Sequence, residues 1–385
     1  MHNTFVLILV VGAALVFDFT NGFHDTANSV APTIATGALK PRVAVAYSAI
    51  LHVVGAFLSL KVAATIANSI VQQDLVTLPI VFGGLAGAIT WNVLTWYFGL
   101  PSSSSHALIG GVVGAMLASV GTDGVIWRGI MAKVFVPGII APVIAIAVAG
   151  LATLISRRAT QHLDDGSRTL GMRVGQIGAS GLMSIAHGTN DAQKTMGIIT
   201  LALVANGTLI STAEVPATVP GWVVLACAVA MASGTFIGGW RIIRTLGHGL
   251  TTLDSTAGFA AQMSSAVVIL TSSHLGLALS TTYVSTGSVI GTGVATKGRK
   301  VHWNVAGRVV FAWLVTLPAA GLVGALAYAG ESVFGASGGA VAVGLVVAAL
   351  AATIFARSRK GKVDMHNVNE PWKSEVLPDS SPSAA

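Results

Sequence analysis

Charge is what this sequence has least of. Of 385 residues, 21 are Lys or Arg and 14 are Asp or Glu, 9% in all, against about 25% for a soluble globular chain. So few charges cannot coat a water-facing surface of this size, and at least a dozen of them crowd into 157–173 and the stretch after 356. A soluble enzyme is thereby excluded. Cysteine is nearly absent, and Cys227 alone rules out an internal disulfide or a thiolate metal cluster. The net charge of +7 comes with no basic stripe interleaved with aromatics. It therefore argues for loops facing anionic lipid rather than for nucleic acid, which is not expected as a partner. What the chain has instead is 53% hydrophobic residues and 45 glycines. That is the composition of closely packed, interrupted helices in a bilayer, not of a barrel whose strands alternate polar with apolar. Length alone would divide the chain into two or three domains, but a helical membrane bundle of this size is one unit.

A spanning helix needs about 20 apolar residues. Uncomplicated runs of that kind lie near 43–66, 76–98, 134–156, 219–239, 309–329 and 338–356. Four more are interrupted by polar residues: 4–39 at Asp18 to Asn28, 99–120 at Ser102 to His106, 174–205 at His187 to Lys194, and 258–295 at His274 to Thr282. A polar or unwound break at membrane depth survives only where it is buried in protein or lines a wet cavity. The first run, Phe5 to Phe17, lacks a basic leader and a small-x-small cleavage site, so it is expected to be a retained helix.

Loop charge sets an orientation. Lys40/Arg42, Arg157/Arg158/Arg168/Arg173, Arg241/Arg244, Lys297/Arg299/Lys300 and the basic group after Arg357 mark cytoplasmic loops, while those holding Asp74, Glu214 and Glu331 have no Lys or Arg. Five units before 157 then start outside and five from 174 start inside, so the second half is upside down. The expected fold is an all-α polytopic membrane protein of two inverted-topology repeats, with broken helices and Ser/Thr-rich helical hairpins. Its parts are a first repeat at 1–156, a basic cytoplasmic loop at 157–173, a second repeat at 174–330, an additional helix at 331–356 and a disordered cytoplasmic tail at 357–385. Hydropathy leaves open whether the Ser/Thr pieces cross fully or dip in.

Internal similarity supports the duplication. An offset of 166 aligns Asn21, Gly22, His24, Asp25 and Asn28 with His187, Gly188, Asn190, Asp191 and Lys194. An offset of 177 aligns Gly99-Leu-Pro-Ser102-Ser103-Ser104-Ser105-His106 with Gly276-Leu-Ala-Leu279-Ser280-Thr281-Thr282-Tyr283. Inverted repeats with polar breaks at equivalent places mark secondary transporters, whose site lies near the midplane between the repeats.

In a helix Asn21, His24, Asp25 and Asn28 share one face, as do His187, Asn190, Asp191 and Lys194. Two buried aspartates would cost on the order of 6 kcal/mol if they met lipid. They must therefore line something, either a binding site or a hydrogen-bonded lock between the two helices. Asp18, a turn earlier, is balanced between the same two readings. The starts of the Ser/Thr segments expose unpaired N–H groups, a helix dipole and hydroxyl donors, which suit an oxyanion. Ser105-His106 does not make a hydrolase, because adjacent residues diverge and a G-x-S-x-G context is missing. His52 and His274 read as satisfied core residues, Gln262 as a packing residue, and Lys61 as either snorkelling or reaching the site. The pairs Gly83/Gly87, Gly110/Gly114, Gly234/Gly238 and Gly287/Gly291 read as close helix contacts.

The stretches Asn21-Gly-Phe-His-Asp-Thr-Ala-Asn-Ser and His187-Gly-Thr-Asn-Asp-Ala-Gln-Lys, with the two Ser/Thr segments, resemble the inorganic phosphate transporter (PiT) family over essentially 1–356. The resemblance implies phosphate uptake by symport with protons or sodium, and no cofactor. It places substrate contacts at Asp25, Ser103, Ser104, Ser105, Asp191, Lys194, Ser280, Thr281 and Thr282. Coupling-ion contacts fall at Asn21, His24, Asp25, Asn28, His187, Asn190 and Asp191. Two positions depart from the family pattern: Lys194 stands for the usual second Asn, and Tyr283 for a His. The first resembles the bacterial, low-affinity permease branch, which implies proton coupling and leaves open a divalent metal travelling with phosphate. No fixed metal site is expected. A sodium symporter and a Ser/Thr-lined channel are the alternatives. The expected location is the plasma membrane, with the C-terminus cytoplasmic and a homodimer left open.

Phosphate suits the residues better than sulfate. Its remaining proton needs an acceptor, which Asp25 or Asp191 supplies, whereas sulfate would set unpaired acceptors against that carboxylate. Lys194 offers a fixed ammonium where Asn28 could coordinate a cation, so one coupling cation would be built in.

Overall fold

The computed structural model describes residues 3–211 and 217–370. Glu214 and the tail from 371 lie outside the described residues. Helix dominates: α1 (Thr4–Ala35), α2 (Pro41–Ala56), α3 (Lys61–Ser69), α4 (Leu78–Tyr97), α5 (Ser104–Val120), α6 (Trp127–Ile130), α7 (Val136–Ala159), α8 (Asp165–Ala205), α9 (Gly221–Ile237), α10 (Trp240–Arg244), α11 (Ser255–His274), α12 (Thr281–Ala295), α13 (Trp303–Phe334) and α14 (Ala336–Ser358). Extended pairing among the described residues is confined to one bridge, Val71 with Val125. Among the described residues, six helices are long and apolar enough to cross a membrane, or up to eight if each of two bent pairs is one span.

One order of elements occurs twice. A long helix (α1, α8) is followed by a pair bent by 68° (α2 with α3) or 62° (α9 with α10 and its π-turn). Then come a 20-residue helix (α4, α11), a short hydroxyl-led helix (α5, α12) and a long apolar helix (α7, α13). Packing crosses between the sets: α1 lies on α9 and α8 on α2, while α13 closes over α4 and α5, and α7 over α11 and α12. Asn21 to Ile34 of α1 is almost wholly buried, as is His187 to Leu203 of α8. The outer helices α7, α13 and α14 turn large apolar side chains such as Ile144, Leu314 and Leu345 outward.

Local chemistry explains the helix ends. Asn3, Ser103, Asp164, Asp254 and Ser280 each cap a helix start by accepting from a backbone N–H three residues on. Pro41 opens α2 from a position that needs no donor. Gly99 and Gly276, at φ +64° and +68°, let the chain leave α4 and α11 and turn back into α5 and α12, a left-handed conformation costly for other residues. Both Ser/Thr segments are thus arms of helical hairpins.

Four details differ from the sequence expectation. The polar motifs do not break α1 or α8, because neighbouring helices satisfy their side chains and leave the backbone ladder intact. The expected single span at 43–66 is instead broken: α2 ends at Ala56, and the free N–H groups of Val62 and Ala63 at the start of α3 donate to Gln193 Oε1 at 2.8 and 3.2 Å. The basic loop at 157–173 shrinks to a short link, since α7 runs to Ala159 and the Asp164 cap starts α8 at Asp165. Residues 358–368, within the expected tail, pack against the bundle: Arg241 donates to Ser358 O and Gly361 O at 2.8 and 2.7 Å, and Val368 is buried in one cluster with Ile242.

The glycine pairs behave as read, with one exception. Gly87 meets Ala320 O, Gly110 meets Leu317, Gly114 meets Gly321, Gly234 meets Phe19, and Gly287 and Gly291 meet Pro142 and Ile146. Gly238 instead ends α9 at positive φ.

Candidate functional site

The two motif helices and the two hairpin arms converge. Asp25 and Asp191 are at most 1% exposed, and each takes a hydroxyl from the hairpin start of its own half. Ser104 Oγ donates to Asp25 Oδ2 at 2.6 Å, and Thr281 Oγ1 to Asp191 Oδ2 at 2.9 Å. Ser104 and Thr281 are themselves related by the 177 offset, so one contact is made twice. The halves also interlock. Asn28 Nδ2 donates to Thr282 Oγ1 at 3.0 Å, and Thr282 donates on to Asp25 Oδ1 at 3.1 Å. Its counterpart Lys194 donates to Ser105 Oγ, the counterpart of Thr282. Lys194 also donates to Asp191 and, at 3.0 Å, to Leu279 O. A buried ammonium with three acceptors is satisfied in every direction.

Histidines flank both carboxylates. His24 Nδ1 is 2.8 Å from Asp25 Oδ1, and its Nε2 is 3.0 Å from Thr95 Oγ1. His187 Nε2 is 2.7 Å from Asp191 Oδ2. Asp25, His187 and Asp191 each bring a ligand atom within 4.8 Å of the others, a spacing that suits a divalent ion, although the Lys194 ammonium already rests on Asp191.

Other expected residues lie at the margin. Ser103 and Ser280 cap α5 and α12 by accepting from His106 N and Tyr283 N, so the hydroxyls on the carboxylates are those one and two residues later. Asn190 turns away to donate to Ser273 at 2.8 Å, and Asn21 is buried with its Oδ1 unpartnered. Asp18 accepts from Thr195 at 2.9 Å. Lys61 stays outside, its Nζ on His274 O at 3.0 Å. His106 and Tyr283, related by the 177 offset, stack with ring centroids 4.9 Å apart.

One residue that the sequence reading did not connect with the centre touches it. His52, taken as core, has Nε2 2.9 Å from His187 Nδ1 and Nδ1 2.9 Å from Thr235 Oγ1, with Ser48 and Ser29 at 3.2 and 3.3 Å. It extends Asp191 and His187 into a chain of titratable groups. No sequence signal marks it, since the position paired with it in packing, through Gly22 and Gly188, is Met231.

A helical bundle with several apolar spans and a buried, twofold carboxylate–hydroxyl centre where its halves meet is a multi-pass membrane protein built around a polar core. The chain belongs to the phosphate transporter family, whose model matches residues 21–172 and 156–324. It is 55% identical over 374 residues to a probable low-affinity inorganic phosphate transporter of Mycobacterium leprae, covering 97% of this chain and 90% of that protein. A protein of the same description from Bacillus subtilis is 40% identical over 325 residues, or 83% and 96% of the two chains. Among solved structures, a sodium-dependent phosphate transporter shares the fold at a TM-score of 0.76 and 24% identity, covering 85% of this chain and 99% of that one.

Proposed function

We propose that the protein is a symporter that carries inorganic phosphate inward by alternating access, with protons as the coupling ion. The observation that carries this reading is the doubled contact, Ser104 on Asp25 and Thr281 on Asp191. The hydroxyls that now donate to carboxylates are the donors a phosphate would take over, while a carboxylate accepts the phosphate O–H. Lys194 and the N-termini of α5 and α12 supply further positive potential. Repeats facing opposite ways would let the halves rock about this fixed point, opening it to each side in turn.

Charge balance supports coupling. Two aspartates and one ammonium leave the centre formally at minus one, and a phosphate dianion would take it to minus three. A buried site does not sustain that charge. His24 and His187 lie against the two carboxylates, so a proton on each removes two of the three. Lys194 takes the place a second mobile cation would need, which favours protons over sodium. Asp25, His187 and Asp191 could meet a divalent ion arriving with phosphate as cargo. The basic loops support a cytoplasmic C-terminus in a plasma-membrane protein.

The test is labelled phosphate uptake into proteoliposomes under an imposed proton or sodium gradient, each with and without magnesium. Accumulation driven by protons at equal sodium supports the reading. Accumulation that requires sodium overturns the coupling, and downhill flux alone would favour a channel.

A further inference from the structure

A second polar feature lies away from the centre, where the C-terminal ends of α1 and α7 meet the N-terminal ends of α8 and α11. A cavity of about 440 Å³ is lined there by Arg157, Arg168 and Arg173, with Asp254, Ser255 and Thr256 opposite. Asp254 holds Arg157 at 2.7 Å and Arg299 at 2.5 Å, and Arg168 pairs with Asp165. Arg173 has no ion-pair partner among the described residues, and Arg157 Nε is buried without an acceptor. Positive charge in the cavity exceeds negative, and guanidinium forks match tetrahedral oxyanions.

A polar seam joins this cavity to the centre. Ser29, Thr33 and Thr36 lie at helical spacing along one side of α1, and Ser29 Oγ is 3.3 Å from His52 Nε2, which reaches the centre through His187 at 2.9 Å. Gln262 Nε2 donates to Ser29 O at 2.6 Å, Thr33 Oγ1 donates to Gln262 Oε1 at 2.9 Å, and Thr36 Oγ1 donates to Gln176 Oε1 at 2.8 Å. Thr36 itself lines the cavity. The repeat offsets locate the same positions on the opposite side. Ser29, Thr33, Thr36 and Gln176 correspond at 166 to Thr195, Ile199, Ala202 and Val10, and Gln262 corresponds at 177 to Leu85. Four of those five counterparts are apolar and belong to one buried hydrophobic cluster. The pseudo-symmetry is broken in one direction: hydrophilic toward the arginines, greasy toward the other face.

We propose that the arginine cavity is a second, weaker phosphate site, a release vestibule on the cytoplasmic side that receives the anion from the centre along the Ser29–Thr33–Thr36 seam. This rests on the reading of the centre as a phosphate carrier. Its ligand is a phosphate oxyanion, and a lipid headgroup is the other source of the same chemistry. The vestibule draws the anion off the central carboxylates and keeps the inner mouth cationic, while the apolar counterpart closes the outer side.

The test compares the two faces of one protein. Labelled inorganic phosphate is applied to right-side-out and inside-out vesicles bearing the wild type, the double variant Arg168→Gln/Arg173→Gln, or the charge-keeping Arg168→Lys/Arg173→Lys. Both positions are near the exposed start of α8, so folding is preserved, and a melt in detergent checks it. The glutamine variant is expected to raise the cytoplasmic half-saturation concentration about fivefold or more, with the outer value within about twofold and the lysine variant between. Equal change on both faces, or none on the inner one, overturns the proposal. An effect that appears with phosphatidylglycerol vesicles but vanishes with phosphatidylcholine ones assigns the cavity to lipid and overturns it too. A wild type that moves no phosphate from either face refutes the carrier reading and the vestibule with it.

Discussion

Lys194 stands in α8 where the repeat offset matches Asn28 in α1, and the two make equivalent bonds, Lys194 to Ser105 and Asn28 to Thr282. An amide and an ammonium thus do the same structural work in a shared geometry. They differ by one full charge, placed on Asp191. That charge is one asymmetry of the centre, beside the unlike pairs Asn21/His187 and His24/Asn190.

Replacing the ammonium by the residue found in the other half should restore the symmetry. Lys194→Asn keeps a donor for Ser105 and vacates a cation position at Asp191, so uptake should become stimulated by sodium at constant pH. Lys194→Met instead takes the ammonium from a buried carboxylate that keeps the Thr281 hydroxyl and His187, and should cost about 3 kcal/mol of stability. Phosphate uptake with sodium exchanged for choline separates the two. Sodium-indifferent transport by the asparagine variant would refute the built-in cation.

The selectivity argument turns on who accepts the phosphate proton. With both carboxylates in place, sulfate brings only acceptors to a site that already presents acceptors. Asp191→Asn introduces a donor amide, so phosphate uptake should fall by at least about tenfold while the ratio of phosphate to sulfate uptake narrows. Competition of labelled phosphate uptake by sulfate measures both. A variant that is slower but equally selective would leave the carboxylate without this role.

Much of this architecture is legible in the residues because duplication writes it twice. Gly99 and Gly276, or Asp25 and Asp191, recur at fixed offsets, and a polar face repeated in an apolar chain has few places to go. The short link between α7 and α8 was hidden, since a basic stretch looks the same as loop or as helix end. The break after Ala56 was hidden too: the Gln193 side chain that satisfies it comes from 130 residues away. His52 escaped for the same reason, being defined by His187 and Thr235 rather than by neighbours in sequence. Tertiary partners, not local propensity, decide such positions.

His52 extends the chain Asp191, His187 toward Ser48 and Ser29, and on the proton-coupled reading it would be the route by which a proton on His187 leaves. His52→Gln keeps a hydrogen-bonding side chain without a titratable ring. Exchange of internal for external phosphate, which needs no net proton movement, should survive within about threefold, while uptake driven by a proton gradient should fall by at least about tenfold. Equal loss of both activities would mean that His52 only holds the helices together.

Two glycine substitutions should move stability in opposite directions. A Cβ on Gly114 would overlap the Gly321 backbone of α13, so Gly114→Ala must push two helices apart, at a cost of about 1–3 kcal/mol. Gly12 has nothing within 4 Å of the same position, and Gly12→Ala should gain about 0.5–1 kcal/mol from helix propensity. Unfolding titrations in detergent would show the difference. Similar behaviour of both variants would contradict the close approach of α5 and α13.

Asp254 caps α11 at the arginine cavity, outside the spanning helices. Burial alone would raise its carboxyl, but the Ala257 N–H, Arg299 and Arg157 outweigh it and hold the group below its ordinary value. A carboxyl depressed in the folded state stabilises it above the unfolded pKa of about 3.9 and loses that contribution as pH falls through the folded value. Asp254→Asn preserves the cap and removes the charge. It should therefore cost about 1 kcal/mol at pH 7, kept small because the pair is partly exposed, and progressively less as the pH is lowered past the folded value. Unfolding of both proteins in detergent across that range measures the gap. A constant gap would assign the loss to packing, whereas a closing one identifies the carboxylate as the ionic tie between Arg157 and Arg299.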